Sequence, residues 1–254
     1  KSLKFALLTG FLLGIAMQLH YLAVFLGVVI FLYVFFSEVF TKSDFKKKIL
    51  FTIKQYLFIF LGFLIGWSPF LAFELRHGFL NFNKIFDFIL NSGNTGTNPN
   101  FFQTVYDVFF RIFGRLVVSF PPPEQLFKFD DLILGLWTIL TLFLAVSSTL
   151  YLIFKTYTSF KTKSEEFKKY LLLLVWFLVG IILFGFYKKA IYDYYFSFMF
   201  PLPFIMVGLL INLVYESKKL KLVGKGLAVV LFLVLFALNI QGLPFRYEPN
   251  RQLN

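Results

Sequence analysis

Long apolar blocks alternate with short polar connections along this chain, and the connections alternate between lysine-rich and lysine-poor. Blocks of about 17–25 apolar residues match the ~30 Å hydrocarbon core of a bilayer. The pattern predicts an all-α, polytopic transmembrane helical bundle of about seven hydrophobic helices, two of them short. The first block, Leu3 to Phe36, is too long for one span and too short for two comfortable ones. It reads as two short helices, Leu3 to Met17 and Tyr21 to Phe36, with Gln18-Leu19-His20 at the tip; a single tilted helix is the alternative. Each leg has about 15 residues, or roughly 23 Å at ~1.5 Å per residue. That is shorter than the hydrocarbon core, which suits a polar tip in a protein-lined or water-filled recess. Further spans are expected over Ile49–Trp67, with Trp67 as an interfacial anchor and Ser68-Pro69 ending the helix, then Leu132–Phe154, Tyr170–Phe186, Phe196–Val214 with Pro201 and Pro203 as kink points, and Gly226–Ile240.

The whole of 1–254 is expected to form one membrane domain, with a long loop over 69–130 and a tail over 241–254. Within the loop, Asn81, Asn83, Lys84 and Asp87 punctuate Phe and Ile positions. Phe79–Leu90 is therefore expected as an amphipathic helix lying on the membrane. Asn91–Asn100 is a polar stretch expected to be flexible and suited to a mobile segment over a site. Phe101–Phe120 is expected as a second amphipathic helix carrying Asp107, Arg111 and Arg115, followed by the stiff connector Pro121-Pro122-Pro123.

Charge fixes a direction. The lysine-rich connections hold Lys42, Lys46, Lys47 and Lys48; Lys155, Lys161, Lys163, Lys168 and Lys169; and Lys218, Lys219, Lys221 and Lys225. Threading the spans in order puts all of them on one side, which the positive-inside rule makes cytoplasmic. The long loop, the Tyr187–Tyr195 turn, the tail and the His20 tip then share the extracytoplasmic face. The net charge of +12 is explained by these lysines between spans, which points to membrane lipid rather than nucleic acid as partner. A chain 59% hydrophobic and only 15% charged is not a soluble domain, since ordinary usage is about 25% charged. With no cysteine there is no disulfide, haem-thiolate or Cys-type zinc site, and two histidines argue against a His-rich metal site, so no metal is assigned. No internal repeat of about 20–50 residues is evident. The chain starts at Lys1 and stops abruptly in a polar stretch, and is read as a fragment.

Candidate chemistry is confined to a few places. Glu74, Arg76 and His77 leave the membrane together. One reading makes them solvated interface markers. The other is a phosphate site, with an Arg donor fork, a titratable His and Gly78 to turn the chain. Lys188 and Lys189 break the charge trend and lie beside Tyr192, Asp193, Tyr194 and Tyr195. They are either a snorkelling pair in an aromatic belt or a cation pair that meets a polyprenyl phosphate, with Tyr hydroxyls orienting the head group. Asp107 and Arg111 are spaced to pair; Arg111 and Arg115 share a face and can instead meet lipid phosphate. His20 is as well explained as a satisfied polar residue at a helix tip. Asp130-Asp131 and Glu165-Glu166 are adjacent pairs, which do not face each other on a helix and make no catalytic dyad.

Three stretches carry a resemblance: Gly10-Phe11-Leu12-Leu13-Gly14-Ile15-Ala16-Met17-Gln18-Leu19-His20-Tyr21; Gly66-Trp67-Ser68-Pro69-Phe70-Leu71-Ala72-Phe73-Glu74-Leu75-Arg76-His77-Gly78; and Tyr194-Tyr195-Phe196-Ser197-Phe198-Met199-Phe200-Pro201. In order and spacing they resemble the GT-C membrane glycosyltransferases of the family 39 type, which include protein O-mannosyltransferases and lipid-A aminoarabinose transferases. The resemblance implies transfer of a sugar from a polyprenyl-phosphate carrier to a glycan, lipid or protein acceptor on the extracytoplasmic face of a bacterial inner membrane, with no cofactor beyond that donor. The family's catalytic acidic residues lie in its first extracytoplasmic loop, and this chain is read as starting after that loop, so no catalytic base is carried over and the fragment alone is expected to be inactive. Arg76, His77, Lys188, Lys189, Tyr192 and Tyr194 are the expected phosphate or head-group contacts. A transporter or flippase of lipid-linked glycans is the competing expectation; the lack of an inverted repeat stands against it. Donor sugar, acceptor, metal dependence and oligomeric state are not legible.

Overall fold

The computed structural model describes residues 2–40, 44–91, 93, 95, 96, 98–117, 132–217 and 221–241. Lys42, the Pro121-Pro122-Pro123 connector, Asp130-Asp131, Lys218, Lys219 and the tail beyond Gln241 lie outside them. The described fold is built from α1 (Leu3–Leu19), α2 (Val24–Val39), α3 (Phe45–Arg76), α4 (Leu80–Phe86), α5 (Phe101–Gly114), α6 (Leu132–Lys161), α7 (Phe167–Phe184), α8 (Pro201–Glu216) and α9 (Lys221–Gln241). Tight three-residue-per-turn helix covers Tyr21–Ala23 and Asp193–Met199, and a wider turn covers Asp87–Asn91. Among the described residues five segments are long and apolar enough to cross a membrane: Tyr21–Glu38, Phe45–Arg76, Gly135–Lys161, Phe167–Phe184 and Lys221–Ile240. Leu3–Leu19 is a shorter apolar helix, and Pro201–Glu216 forms a broken span with the tight segment before it. The chain is an all-α, polytopic integral membrane protein, as the apolar blocks predict. It forms two compact units, Lys1–Val108 with Leu152–Met199, and Phe109–Tyr151 with Phe200–Asn254.

In the first unit α1 and α3 lie backbone against backbone. Gly10 and Gly14 face Gly62 and Gly66, each pair spaced four apart on its helix. A Cβ on Gly10 would strike the Ile59 carbonyl, and one on Gly62 would strike the Leu7 carbonyl. The contacts advance together along both helices, so α1 and α3 run parallel and α2, which joins them in the chain, runs back the other way, as expected for a broken first block. The break falls at His20, whose backbone is extended and whose Nδ1 accepts from Leu22 N at 3.2 Å. Both legs run two or three residues longer than expected.

The expected stop at Ser68-Pro69 does not occur, because α3 continues through Pro69 to Arg76. Proline removes the N–H that would bond the Ile65 carbonyl. Ser68 Oγ donates to that same carbonyl at 2.8 Å, so the helix continues without an orphaned acceptor. Its 32 residues span about 48 Å, more than the ~30 Å hydrocarbon core. Glu74 and Arg76 therefore sit on helix, His77 caps it, and the long loop begins at His77 rather than at 69.

α2 packs along α7 through Val29, Leu171 and Val175. Phe25 meets Phe184 at one end, and Phe40 meets Phe160 and Phe167 at the other, so the two run antiparallel. Lys161, Lys163, Lys168 and Lys169 thus cluster at the end opposite His20. The turn between α6 and α7 closes with Lys163 in the left-handed region (φ 56) and Ser164 N donating to Ser159 O at 3.0 Å.

The second unit buries Phe110, Ile112, Phe113, Leu116 and Val117. The second loop helix ends at Gly114, not at Phe120, and Arg115 lies in the turn beyond it. The Leu116 carbonyl is held by Asn239 Nδ2 of α9 at 2.9 Å. α8 and α9 pack antiparallel, with Gly224 against the Tyr215 backbone. Pro201 occupies the first position of α8, where its missing N–H costs nothing, and the expected span bends by 53° there, between Asp193–Met199 and α8.

The glycine contacts give a paired test. Gly10→Ala is expected to destabilise the protein in detergent by about 1–3 kcal/mol through overpacking. Gly208→Ala on α8, with nothing within 4 Å of its added Cβ, is expected to be neutral or stabilising by up to about 1 kcal/mol. Thermal unfolding of the two variants checks both.

Candidate functional site

The residues singled out in the sequence fall into two groups, both within the first unit. The first group ends α3. The helix closes through Phe79 N donating to Glu74 O at 2.9 Å, which requires Gly78 in the left-handed region (φ 64), and Phe79 follows it there (φ 60). Phe79 has no side-chain oxygen to cap α4. The Glu74 carboxylate does so instead, accepting from Asn81 N at 3.1 Å, Phe82 N at 3.2 Å and Asn81 Nδ2 at 2.6 Å. Glu74 is fully buried, not solvated as the interface reading had it. A carboxylate is tolerated there because three donors converge on it at the positive end of a helix. His77 is spent locally too: Nδ1 bonds Phe73 O at 2.8 Å, and its ring stacks on Phe73 at 4.0 Å. Arg76 is exposed. The corner is a structural hinge point between two helices, with Arg76 and the far edge of His77 facing outward.

The second group is the turn after α7. Tyr192 and Tyr194 stack in parallel with centroids 5.9 Å apart, and both are more than half exposed. Tyr195 sits edge-on to Tyr194 at 4.6 Å and to Tyr192 at 5.7 Å, and reaches Tyr187 at 6.2 Å. The His20 tip joins this cluster, its ring stacked with Tyr21 at 5.0 Å and edge-on to Tyr194 at 6.4 Å. Since Nδ1 of His20 accepts a backbone N–H, its proton is on Nε2.

Thr95, Gly96 and Asn98 of the polar stretch before α5 bond to the start of this turn. Gly96 N donates to Phe186 O at 3.1 Å, Asn98 Nδ2 donates to Tyr187 O at 2.9 Å, and Thr95 makes an isolated bridge to Tyr187. Gly96 adopts φ 103 and lies beneath Lys188, whose ammonium is 4.0 Å from where a Cβ would stand. Lys188 and Lys189 are exposed. Burial, then the neighbouring Tyr21 phenol, pushes the Tyr187 hydroxyl above its usual range.

The structure therefore joins Tyr192 and Tyr194 in one ring cluster and adds His20, Tyr21, Tyr187 and Tyr195, while Lys188 follows Tyr187 in the chain and lies over Gly96. Lys189 is next to it in the chain. No described contact links Arg76 or His77 to the cluster. Tyr21 and Tyr187 were passed over in the sequence, and Tyr195 was named beside the lysines without being assigned a contact, although both the tip and the turn were placed on one face; the signal was the density of Tyr in them. Arg115, outside the cluster, is held below the usual arginine value by burial and then by Arg111. Among the described residues no three His, Asp or Glu side chains come together to hold a metal.

Fold and cluster together define an integral membrane helical protein with an aromatic, cation-bearing end. No family model matches the chain, and no curated protein or solved structure matches it either.

Glu74→Gln presents an amide NH₂ to the Asn81 donors and is expected to cost about 1–3 kcal/mol. Hydrogen exchange should accelerate first at Asn81 and Phe82. For Tyr187, a phenol with its pKa raised in the fold contributes stability that is intact below the ordinary value of about 10 and is lost as pH rises through the folded value. Phenolate absorbance should show a late-titrating tyrosine that disappears in Tyr187→Phe.

Proposed function

We propose that this chain is the carrier-binding part of a membrane glycosyltransferase that moves a sugar from a polyprenyl-phosphate carrier to a glycan, lipid or protein acceptor. The observation that supports this is the meeting of the His20 tip, the Tyr187–Tyr195 turn and Lys188 at the end of the first unit opposite its clustered lysines. By the positive-inside rule that end is extracytoplasmic, in a bacterial inner membrane. A lipid-linked phosphate has its charge at the membrane surface and its sugar just outside. Lys188 offers a charge-assisted donor to the phosphate, with Lys189 beside it. The stacked Tyr192 and Tyr194 rings offer a flat apolar face and hydroxyls to a sugar. A cation here also stabilises the phosphate as it departs, while a general base outside this assignment activates the acceptor hydroxyl. Arg76 and His77 form a separate outward-facing pair for the same anionic chemistry.

The test is transfer of radiolabelled sugar from polyprenyl-phosphate donors by the full protein in membranes. Lys188→Ala is expected to weaken carrier use by about 10-fold or more, since a bond to a charged group is worth roughly 1.5–3 kcal/mol. Arg76→Ala should also weaken it, and neither change should alter folding, both side chains being exposed. Normal carrier affinity in both variants would remove the site assignment. Movement of the carrier across the bilayer without transfer would establish a flippase instead.

A further inference from the structure

A cleft of about 380 Å³ opens in the second unit between α8 and α9. At one end the helices touch, where a Cβ on Gly224 would stand 2.7 Å from Tyr215 N. Further along, Gly208 faces open space and the helices part. Gly208, Ala228 and Val229 make the cleft's apolar floor, and Asn212, Tyr215 and Lys225 its mouth. One turn before Lys225, the Lys221 ammonium lies 5.3 Å over the Tyr215 ring. Lys221 and Lys225 are four apart on one helix face, a like-charge spacing that disfavours the helix unless an anion is shared. Neither has a carboxylate partner among the described residues; the nearby Glu216 instead accepts from Asn212 Nδ2 at 2.7 Å and does not line the cleft.

We infer that this cleft binds one anionic phospholipid, with its phosphate at Lys225 and Lys221 and an acyl chain along Gly208 and Ala228. Two observations choose lipid over a soluble anion or a protein partner. α9 is long and apolar enough to be a membrane span, and only 6% of the residues in its most apolar stretch are buried by the rest of the chain, which leaves most of them to meet hydrocarbon. The apolar floor runs on from the cationic mouth, which matches a molecule with a charged head and an apolar tail. Basic pockets between helices on the lysine-rich side are suited to such head groups.

The experiment uses the full chain in mild detergent, titrated with phosphatidylglycerol, phosphatidylcholine or glycerol phosphate, with bound lipid counted by native mass spectrometry. Wild type should retain phosphatidylglycerol in preference to phosphatidylcholine. Lys225→Gln should weaken that retention about fivefold, and the double change with Lys221→Gln about 25-fold, as roughly 1 kcal/mol per basic residue implies. Gly208→Leu places its side chain in open space, so it should fill the cleft and displace the lipid while the melting temperature in phosphatidylcholine stays unchanged. Equal retention of both lipids by wild type would overturn the inference, as would full competition by glycerol phosphate. So would unchanged retention in Gly208→Leu, or a change there in oligomeric state in place of lipid loss.

Discussion

The contact of α1 with α3 at four glycines is the constraint on which the first unit rests. Inside a bilayer the apolar surface of a helix gains nothing by leaving lipid for another helix, so association depends on close packing. Gly10, Gly14, Gly62 and Gly66 let the two backbones touch where any side chain would collide with a carbonyl. Gln18 extends the contact by donating to the Gly66 carbonyl. With α1 fixed against α3, the chain must reverse at His20, and α2 is delivered against α7. The tyrosine turn that follows α7 then arrives at the tip that the glycines have positioned.

A second constraint acts throughout: no backbone polar group can be left to hydrocarbon. Ser68 covers the acceptor that Pro69 strands, Tyr56 donates to Phe31 O at 2.8 Å, and Thr156 donates to Leu152 O at 2.8 Å. Glu74 serves two helices at once, its carbonyl closing α3 and its carboxylate opening α4. The side chains that looked like chemistry at the end of α3 are thus largely occupied with helix ends. Glu74 and the Nδ1 edge of His77 are unavailable to a ligand, which moves the weight of the site to the tyrosine turn.

The apolar blocks, the break at His20 and the polar turn after α7 were legible because each is a composition boundary. The ends of α3 and α5 were not, whereas the helix expected over Phe79–Leu90 is found over Leu80–Asn91. Pro69 reads as a stop in water, and only the serine before it, acting through a side chain, reverses that reading. Gly10, Gly14, Gly62 and Gly66 stood in the sequence as two equal spacings, but which helix meets which is a tertiary fact that the spacing does not contain. The cap on α4 was hidden for the same reason: its carboxylate comes from the preceding helix, and Phe79 gives no local sign of it. The tyrosine cluster was half legible, since sidedness brought His20 and the turn to one face while ring contacts had to wait for three dimensions.

The first unit is chemically polar from end to end. One end holds Lys161, Lys163, Lys168 and Lys169 around a Phe40, Phe160 and Phe167 contact; the other holds phenols, one imidazole and Lys188. Four lysines are attracted to any anionic surface and select little. Phenols select, because a neutral hydroxyl on a rigid ring bonds in a fixed direction and its ring presents a flat face. A phenol is uncharged across the neutral range even at its ordinary pKa of about 10, and burial raises Tyr187 further, so it remains a hydrogen-bond donor there while Lys188 and Lys189 supply the charge. Under the proposed function, a head group that joins one phosphate to a neutral sugar is what Lys188 and Lys189 among several phenols would match, whereas a purely anionic lipid would be better met by the lysines at the other end.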